Sequence, residues 1–113
     1  MIDWYKEINF AITISDLNGD IIYMNDKSIE TFSNSGGKNL IGNKLDSCHN
    51  KNSKAIIKKL LNENISNTYT ITKKQKKKII HQTPYYNNGE IAGLVEISII
   101  LPDDMKHYDR DKV

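Results

Sequence analysis

The stretch IIHQTPYYNNGEIAGLVEISIIL, residues 79–101, carries the pattern that decides the fold. Two runs rich in isoleucine, tyrosine and valine flank the turn signal NNGE at Asn87–Glu90. Runs of β-branched and aromatic residues that are separated by Asn and Gly are typical of a β-hairpin. The stretch therefore predicts strands over Ile79–Tyr86 and Ile91–Leu101, and Pro102 ends the second strand.

A second hairpin is predicted near the N-terminus. The β-rich run Phe10–Asp16 is followed by the turn signal LNGD at Leu17–Asp20, and Ile21–Asn25 returns as the partner strand. The chain therefore begins and ends with paired strands.

The middle of the chain is predicted to be largely helical. Asp26 or Asn25 can cap a short helix through Phe32, and SKAIIKKLLNEN, Ser53–Asn64, places its apolar residues at helical spacing. A single strand, Thr68–Thr72, follows. Runs of strands and helices that do not alternate favour an antiparallel sheet with the helices on one face.

Residues 2–9, IDWYKEIN, are predicted to form a short amphipathic helix. Its apolar side consists of Ile2, Trp4, Tyr5 and Ile8. We predict that residues 1–9 form this helix and a dimerisation cap, that residues 10–101 form the main domain, and that residues 102–113 form a polar tail.

Length and composition limit the class of protein. The chain has 113 residues, which suffices for one domain. Its single cysteine cannot form an internal disulfide, so a cytoplasmic location is predicted. No apolar run approaches the roughly 20 residues of a membrane span, and the N-terminus does not resemble a signal peptide. A net charge of +2 indicates neither a nucleic-acid nor a membrane partner.

The order and spacing of these elements resemble those of PAS sensor domains. The resemblance is carried by AITISDLNGDIIYMNDKSIETF (11–32), LIGNKLDSCH (40–49) and HQTPYYNNGEIAGLVEISI (81–99), and it spans about residues 8–101. It implies an α+β fold with a five-stranded antiparallel sheet, short helices on one face and an N-terminal helix. It also implies a small cavity between the inner face of the sheet and the helices.

The resemblance implies ligand-binding residues around that cavity. In the family, the inner face of the penultimate strand lines the cavity, and alternation places Ile80 and Gln82 on one side of this strand. The sequence leaves open which side faces inward. The predicted ligand-binding set is His49, Gln82, Ile80, Tyr69, Val95, Ile97 and Phe32.

The last predicted strand is apolar on both faces. Val95, Ile97 and Ile99 form one row, and Leu94 and Ile100 belong to the other. The second face therefore needs a cover, either the N-terminal helix or another subunit, unless a monomer tolerates an apolar edge. The predicted dimer interface consists of Trp4, Tyr5, Ile8, Leu94 and Ile100.

Cys48 and His49 raise the question of a cofactor. Light-oxygen-voltage flavin domains, a PAS branch, carry their adduct-forming cysteine three residues after a glycine and before an arginine. Here Gly42 is six residues before Cys48 and His49 stands in place of the arginine, which argues against flavin chemistry. Haem-binding PAS domains use a histidine of the long helix as axial ligand, whereas His49 precedes that helix by about one turn. The two residues lack the spacing of a zinc site, and no metal is predicted.

The lysine run KKQKKK, residues 73–78, lies on a predicted hairpin tip without interleaved aromatic residues or arginines. A solvated hairpin explains it better than nucleic-acid binding.

The resulting prediction is a non-catalytic PAS domain that senses a small molecule and acts through a homodimer or a signalling partner protein. The alternatives are a haem redox or gas sensor with His49 as axial ligand, and a ligand-free dimerisation module. A small hydrolase or isomerase is least supported, because it needs a base–nucleophile pair that the sequence does not reveal.

Overall fold

The computed structural model describes residues 2–43 and 51–112. They form five strands, two α-helices and two short 3-10 helices. In chain order these elements are β1 (Ala11–Asp16), β2 (Ile21–Met24), α1 (Asp26–Thr31), the 3-10 helices Ser33–Ser35 and Gly37–Leu40, α2 (Lys51–Glu63), β3 (Asn67–Lys73), β4 (Lys76–Asn87) and β5 (Glu90–Ile100).

The strands form one antiparallel sheet in the order β2-β1-β5-β4-β3. The first and last strands of the chain are neighbours at its centre, so the helical middle segment connects the two edges of the sheet. Both α-helices pack on one face, which we call the inner face, and the opposite face is the outer face. The predicted α+β fold with a five-stranded antiparallel sheet is confirmed.

The turn between β1 and β2 forms where the LNGD signal predicts it. The side-chain Oδ1 of Asp16 accepts hydrogen bonds from the backbone N of Asn18 and of Asp20, each at 3.0 Å. Gly19 has a φ of +83°, a left-handed conformation that glycine adopts without steric cost. The local sequence therefore determines this hairpin.

Helix α1 is capped by Asn25, one of the two predicted caps, whose Oδ1 accepts a hydrogen bond from Ser28 N at 2.9 Å. The helix ends at Thr31, one residue before the predicted end at Phe32. The following segment 33–40 contains two 3-10 helices, in which backbone hydrogen bonds close tight turns.

The hydrophobic core lies between the inner face and the helices. Its buried members are Ile21, Met24, Leu40, Ile57, Leu60 and Leu94. Helix α2, at Lys51–Glu63, matches the predicted helix within two residues at each end and contributes Ile57 and Leu60. Ile29, Phe32 and Leu61 are partly buried against this core.

The inward-facing row of β5 differs from the prediction. Leu94 is fully buried in the core, and Glu96, on the same row, is 8% exposed. Val95 and Ile97 are half-buried on the outer face. Alternation separates two rows but does not say which row the helices cover. The helices cover the row that contains Leu94, Glu96 and Ser98, so the predicted placement of Val95 and Ile97 at the cavity is wrong.

Residues 2–9 contain one turn, at residues 4–6, and no helix, so the predicted N-terminal helix is wrong. A helix over residues 2–9 would use the carbonyl of Tyr5 for the amide of Asn9. Instead, Asn25 Nδ2 donates to Tyr5 O at 2.9 Å and Asp26 N donates to Lys6 O at 3.0 Å. These tertiary hydrogen bonds prevail because an isolated helix shorter than about 12 residues is marginal in water.

The chain contains no helix or strand from residue 101 to residue 112. Leu101 N still donates to Lys77 O at 2.8 Å, and residues 102–112 are exposed. The domain boundary at residue 102 stays a prediction.

Candidate functional site

A cavity of about 200 Å³ lies between the inner face of the sheet and the C-terminal end of α1. We call it the inner cavity. Its apolar lining consists of Ala11, Phe32, Ile71 and Ile80. Its polar lining consists of Thr13, Thr31, Tyr69, Lys73, Lys78, Glu96 and Ser98.

Strand pairing brings this lining together. Thr13 of β1 lies opposite Glu96 of β5, and Ile80 of β4 lies opposite both Ser98 of β5 and Tyr69 of β3. Directly paired residues point to the same face of a sheet. Four strands therefore contribute to one continuous patch beneath α1.

Several predicted ligand-binding residues lie at this site. Phe32, Tyr69 and Ile80 line the inner cavity, and Gln82 lines an adjoining cleft of about 280 Å³ together with Tyr69. Gln82 is 2% exposed, and its Oε1 accepts a hydrogen bond from Asn67 Nδ2 at 3.3 Å. The inward side of β4, which the sequence leaves open, is thus the side of Ile80 and Gln82.

Two residues of the predicted dimer interface lie on the inner face instead. Leu94 has 0% exposure and is inaccessible to another subunit, and Ile100 borders a small cleft beside the inner cavity. The predicted outward placement of both is wrong, because the two rows of β5 are exchanged. Ile100 is nevertheless 50% exposed, so its contact with another subunit stays a prediction. The other three predicted residues lie in residues 2–9, which we call the N-terminal segment: Trp4 is 62% exposed, Tyr5 is 36% exposed and Ile8 is half-buried.

Cys48 and His49 lie outside the described residues. Of the other histidines, His81 faces outward, with its Nδ1 at 2.7 Å from Thr68 Oγ1, and His107 is exposed in the tail. Within the described part of the chain, no cluster of three His, Cys, Asp or Glu side chains could hold a metal ion.

Eight lining residues of the inner cavity are absent from the predicted ligand-binding set: Ala11, Thr13, Thr31, Ile71, Lys73, Lys78, Glu96 and Ser98. The alternation of side chains along β3 and β4 was the available signal that the two lysines face the cavity. Lys78 is two residues from Ile80 and therefore points to the same side of the strand. Glu96 was missed because its row was assigned to the outer face.

The two ends of the inner cavity differ in charge. Burial, and then the negative charge of Glu96, raise the pKa of Tyr69 above its ordinary value. Burial, and then neighbouring lysines of which Lys73 is the strongest, lower the pKa of Lys78. Tyr69 is therefore a neutral hydrogen-bonding group at neutral pH, and positive charge gathers at the end of the cavity near Lys78.

A chain of hydrogen bonds connects the cavity wall to the N-terminal segment. Thr13 Oγ1 lies 2.6 Å from Ser28 Oγ, and Ser28 N donates to Asn25 Oδ1 at 2.9 Å. Asn25 Nδ2 in turn donates to Tyr5 O and to Phe10 O, each at 2.9 Å. Thr13, Ser28 and Asn25 are buried, so water does not compete for these bonds.

The outer face carries an apolar patch. Its members are Ile79, Val95, Ile97 and Ile99, which we call the outer row. Ile99 is 39% exposed, and the others are half-buried. The N-terminal segment reaches the sheet at β2, where the Tyr5 and Tyr23 rings meet edge to face at 5.6 Å. Within the described residues, neither α-helix is long and apolar enough to cross a membrane.

No protein-family model and no curated protein matches this chain. Solved structures do match it over most of its length. The PAS domain of the histidine kinase ThkA is 14% identical, with a TM-score of 0.68, and the match covers 81% of this chain and 99% of that domain.

Two proteins of Vibrio cholerae also match. The Aer2 receptor, described as a dual PAS-heme oxygen sensor, is 15% identical, with a TM-score of 0.63, and the match covers 82% of this chain and 95% of that one. VqmA was solved as a dimer, with ligand and DNA, and bound to DPO. In the dimer structure VqmA is 17% identical, with a TM-score of 0.70. That match covers 88% of this chain and 49% of the VqmA chain. At such identities the likeness is one of fold.

Proposed function

We propose that this chain, which has a PAS fold, is a sensor module that binds a small molecule in the inner cavity. Its N-terminal segment and outer face would report the bound state to a second copy of the chain and to a signalling partner protein. Binding, rather than catalysis, is the proposed activity.

The observation that carries this proposal is the polar lining of the inner cavity. Thr13 is 4% exposed and Glu96 is 8% exposed, and both point from the centre of the sheet toward the helices. Apolar side chains usually occupy such positions. Small-molecule sites combine apolar surface with placed polar groups, and the inner cavity has both, with seven polar lining residues beside four apolar ones.

The proposed mechanism uses the hydrogen bonds that lead away from the cavity. A ligand that contacts Thr13 competes for, or reinforces, its bond to Ser28. Asn25 joins Ser28 to the carbonyl of Tyr5, so the position of the N-terminal segment depends on that bond. The ligand shifts the balance between two packings only by its different affinity for each, typically about 1–3 kcal/mol of coupling.

The proposed contact surface for a second copy combines the N-terminal segment with the outer row. Trp4 and Tyr5 are exposed, and the outer row supplies Val95, Ile97 and Ile99 in place of Leu94 and Ile100. VqmA, whose structure is similar to this chain, is described as a dimer, which is consistent with a second copy as partner. Exposed apolar patches often mark such contact sites.

Native mass spectrometry tests the binding proposal. The protein is incubated with a deproteinised metabolite extract, and the mass of any retained compound is recorded. Ser98→Phe fills the inner cavity, whereas Thr70→Phe places the same ring on the outward, exposed side of β3. We expect a bound compound with the wild-type chain and with T70F, and none with S98F. An empty wild-type chain, or equal retention by both variants, contradicts the proposal.

Haem sensing is the second candidate, and its support is the likeness to Aer2. The described residues do not fit haem. The inner cavity of about 200 Å³ lies below the roughly 300–1,000 Å³ of drug-sized pockets, and neither His81 nor His107 lines it. An absorption spectrum of the purified chain decides the matter: a Soret band that disappears in His49→Ala would replace the small-molecule proposal with the haem alternative.

A further inference from the structure

Five lysines converge on one cleft beside the inner cavity. The cleft measures about 230 Å³, and its lysines are Lys27 of α1 and Lys73, Lys74, Lys76 and Lys78 of the β3–β4 hairpin. We call it the lysine cleft. Lys76 and Lys78 lie two residues apart on β4 and therefore share a face, and Lys73 pairs with Lys76. Lys77, between them, points to the outer face.

The lysine cleft and the inner cavity are contiguous. Thr31, Lys73 and Lys78 line both of them. The two lysines therefore stand where the cavity opens toward the cleft. Glu96 lies farther in, because it pairs with Gln82, which is four residues, or about 13 Å, along β4 from Lys78.

Little negative charge offsets these lysines. Lys27 Nζ lies 3.6 Å from a carboxylate oxygen of Glu30. Among the described residues, Lys73, Lys74, Lys76 and Lys78 form no ion pair. The lowered pKa of Lys78 has burial as its first cause and the other lysines as its next, which is the direction that mutual repulsion produces. An anion bound at this point would relieve that repulsion.

We propose that the ligand is a small organic anion, a carboxylate or a phosphate ester, whose charged group is held between Lys73 and Lys78. Its uncharged body lies in the inner cavity against Phe32, Ile71 and Ile80. The inference rests on the proposed sensing function and specifies the chemical class of the ligand. A carboxylate or phosphate oxygen accepts charge-assisted hydrogen bonds from lysine, which are stronger than neutral ones.

Ligand-observed NMR tests this class with matched probes. The probes are 4-methylpentanoate, its neutral analogue 4-methylpentanamide, and phenyl phosphate with its neutral analogue phenol. Each has a compact body suited to a cavity smaller than the roughly 300 Å³ of drug-sized pockets. We expect at least one anion to bind about tenfold more tightly than its neutral partner, and to weaken as salt is added. The carboxylate and phosphate arms identify which group the cleft prefers.

Lys78→Met removes the charge and keeps an unbranched side chain, and Lys77→Met is the matched control on the outer face of the same strand. K78M should weaken the bound anion about tenfold and leave its neutral partner unchanged, while K77M changes neither by more than about twofold.

The outcomes separate the two proposals. Neutral probes that bind the cavity as tightly as the anions, or an anion that K78M leaves unaffected, overturn the anion proposal and leave the sensing function standing. Failure of every probe overturns the anion proposal, and the sensing function then depends on the retained compound in the native mass spectrum. Loss of anion binding in K77M as well as in K78M would assign the anion to the general charge of the hairpin, and also contradicts the proposed site.

Discussion

At the scale of single residues, Asn25 does the most to join separate parts of the chain. Its buried side chain accepts hydrogen bonds from Ile12 N and Ser28 N, each at 2.9 Å, and donates to Tyr5 O and Phe10 O. One amide therefore joins the N-terminal segment, β1 and α1. Sequence reasoning identifies Asn25 as a possible helix cap, because capping is local. Its other partners follow only from the folded structure.

Asn25→Ala should lower the free energy of unfolding by about 2–4 kcal/mol, because it leaves buried backbone amides without acceptors. Urea denaturation of the purified chain measures this. Asn34→Ala, an exposed position in the first 3-10 helix, is the matched control and should change stability by less than about 0.5 kcal/mol. Equal stability of the two variants would contradict the assigned role of Asn25.

Gly93 allows β1 and β5 to approach each other. A Cβ at this position would lie 2.0 Å from Ser15 O and 2.8 Å from Tyr85 Cε1. Gly93→Ala should therefore destabilise the sheet by at least about 2 kcal/mol, through displacement of a central strand. Gly89→Ala meets no atom within 4 Å and loses only the glycine preference of its turn, so it should cost about 1 kcal/mol. Thermal unfolding that ranks the two variants in the opposite order would refute the close approach.

At the scale of elements, Lys78 of the β3–β4 hairpin lowers the stability of the fold but supplies a charge for the proposed ligand. The folded-state pKa of Lys78 is lowered, so its charged form is disfavoured by folding. The resulting cost is present at neutral pH and diminishes as the pH rises through that lowered pKa toward the ordinary lysine value. Anion binding is the role that we propose for this lysine.

Lys78→Met should accordingly have a urea midpoint equal to or above that of the wild-type chain at neutral pH. The difference should shrink as the pH is raised toward the ordinary pKa of lysine, since the wild-type chain then loses its charge penalty. Lys77→Met, on the outer face, is the reference variant for the loss of a surface lysine. A K78M chain that is less stable than K77M throughout this range would be inconsistent with an unfavourable charge at the cavity.

Among the elements, those with local signals were predictable. The two turns with Asn-Gly and the amphipathic pattern of α2 occur where the sequence predicts them. The conformation of residues 2–9 was not predictable, because a hydrogen bond from Asn25 determines it. The inward-facing row of β5 was not predictable either, because packing against α2 and Leu40 determines it. A strand that is apolar on both faces gives no local sign of which row the helices cover.

At the scale of the whole molecule, the exchanged rows of β5 change where the proposed ligand site and the proposed contact surface lie. Glu96 and Ser98 of one row line the inner cavity, and the apolar outer row is the proposed contact surface. The PAS resemblance predicts that a cavity exists. Tyr69, Ile80 and Gln82 could be named as its residues once Ile80 was assumed to face inward. Sequence reasoning could not identify Glu96 as a cavity residue, because the placement of Glu96 depends on the pairing of strands far apart in the chain, and it missed Lys78 although the alternation along β4 was an available signal.

Ile99→Glu should dissociate the proposed homodimer, since it places a charge on the outer row. Sedimentation velocity measures the change, and Ile41→Glu, at a position 40% exposed and outside the outer row, should remain dimeric. A wild-type chain that sediments as a monomer at every concentration would exclude the second copy as the occupant of the outer face.

The central claim is that the ligand lies on the inner face of the sheet. NMR spectra of chain labelled at its isoleucine methyl groups, titrated with the compound retained in native mass spectrometry, test it most directly. Inner isoleucines Ile71 and Ile80 should show the largest chemical-shift changes and contacts to ligand protons. Changes centred instead on Ile97 and Ile99 of the outer row, with Ile71 and Ile80 unaffected, would contradict the claim.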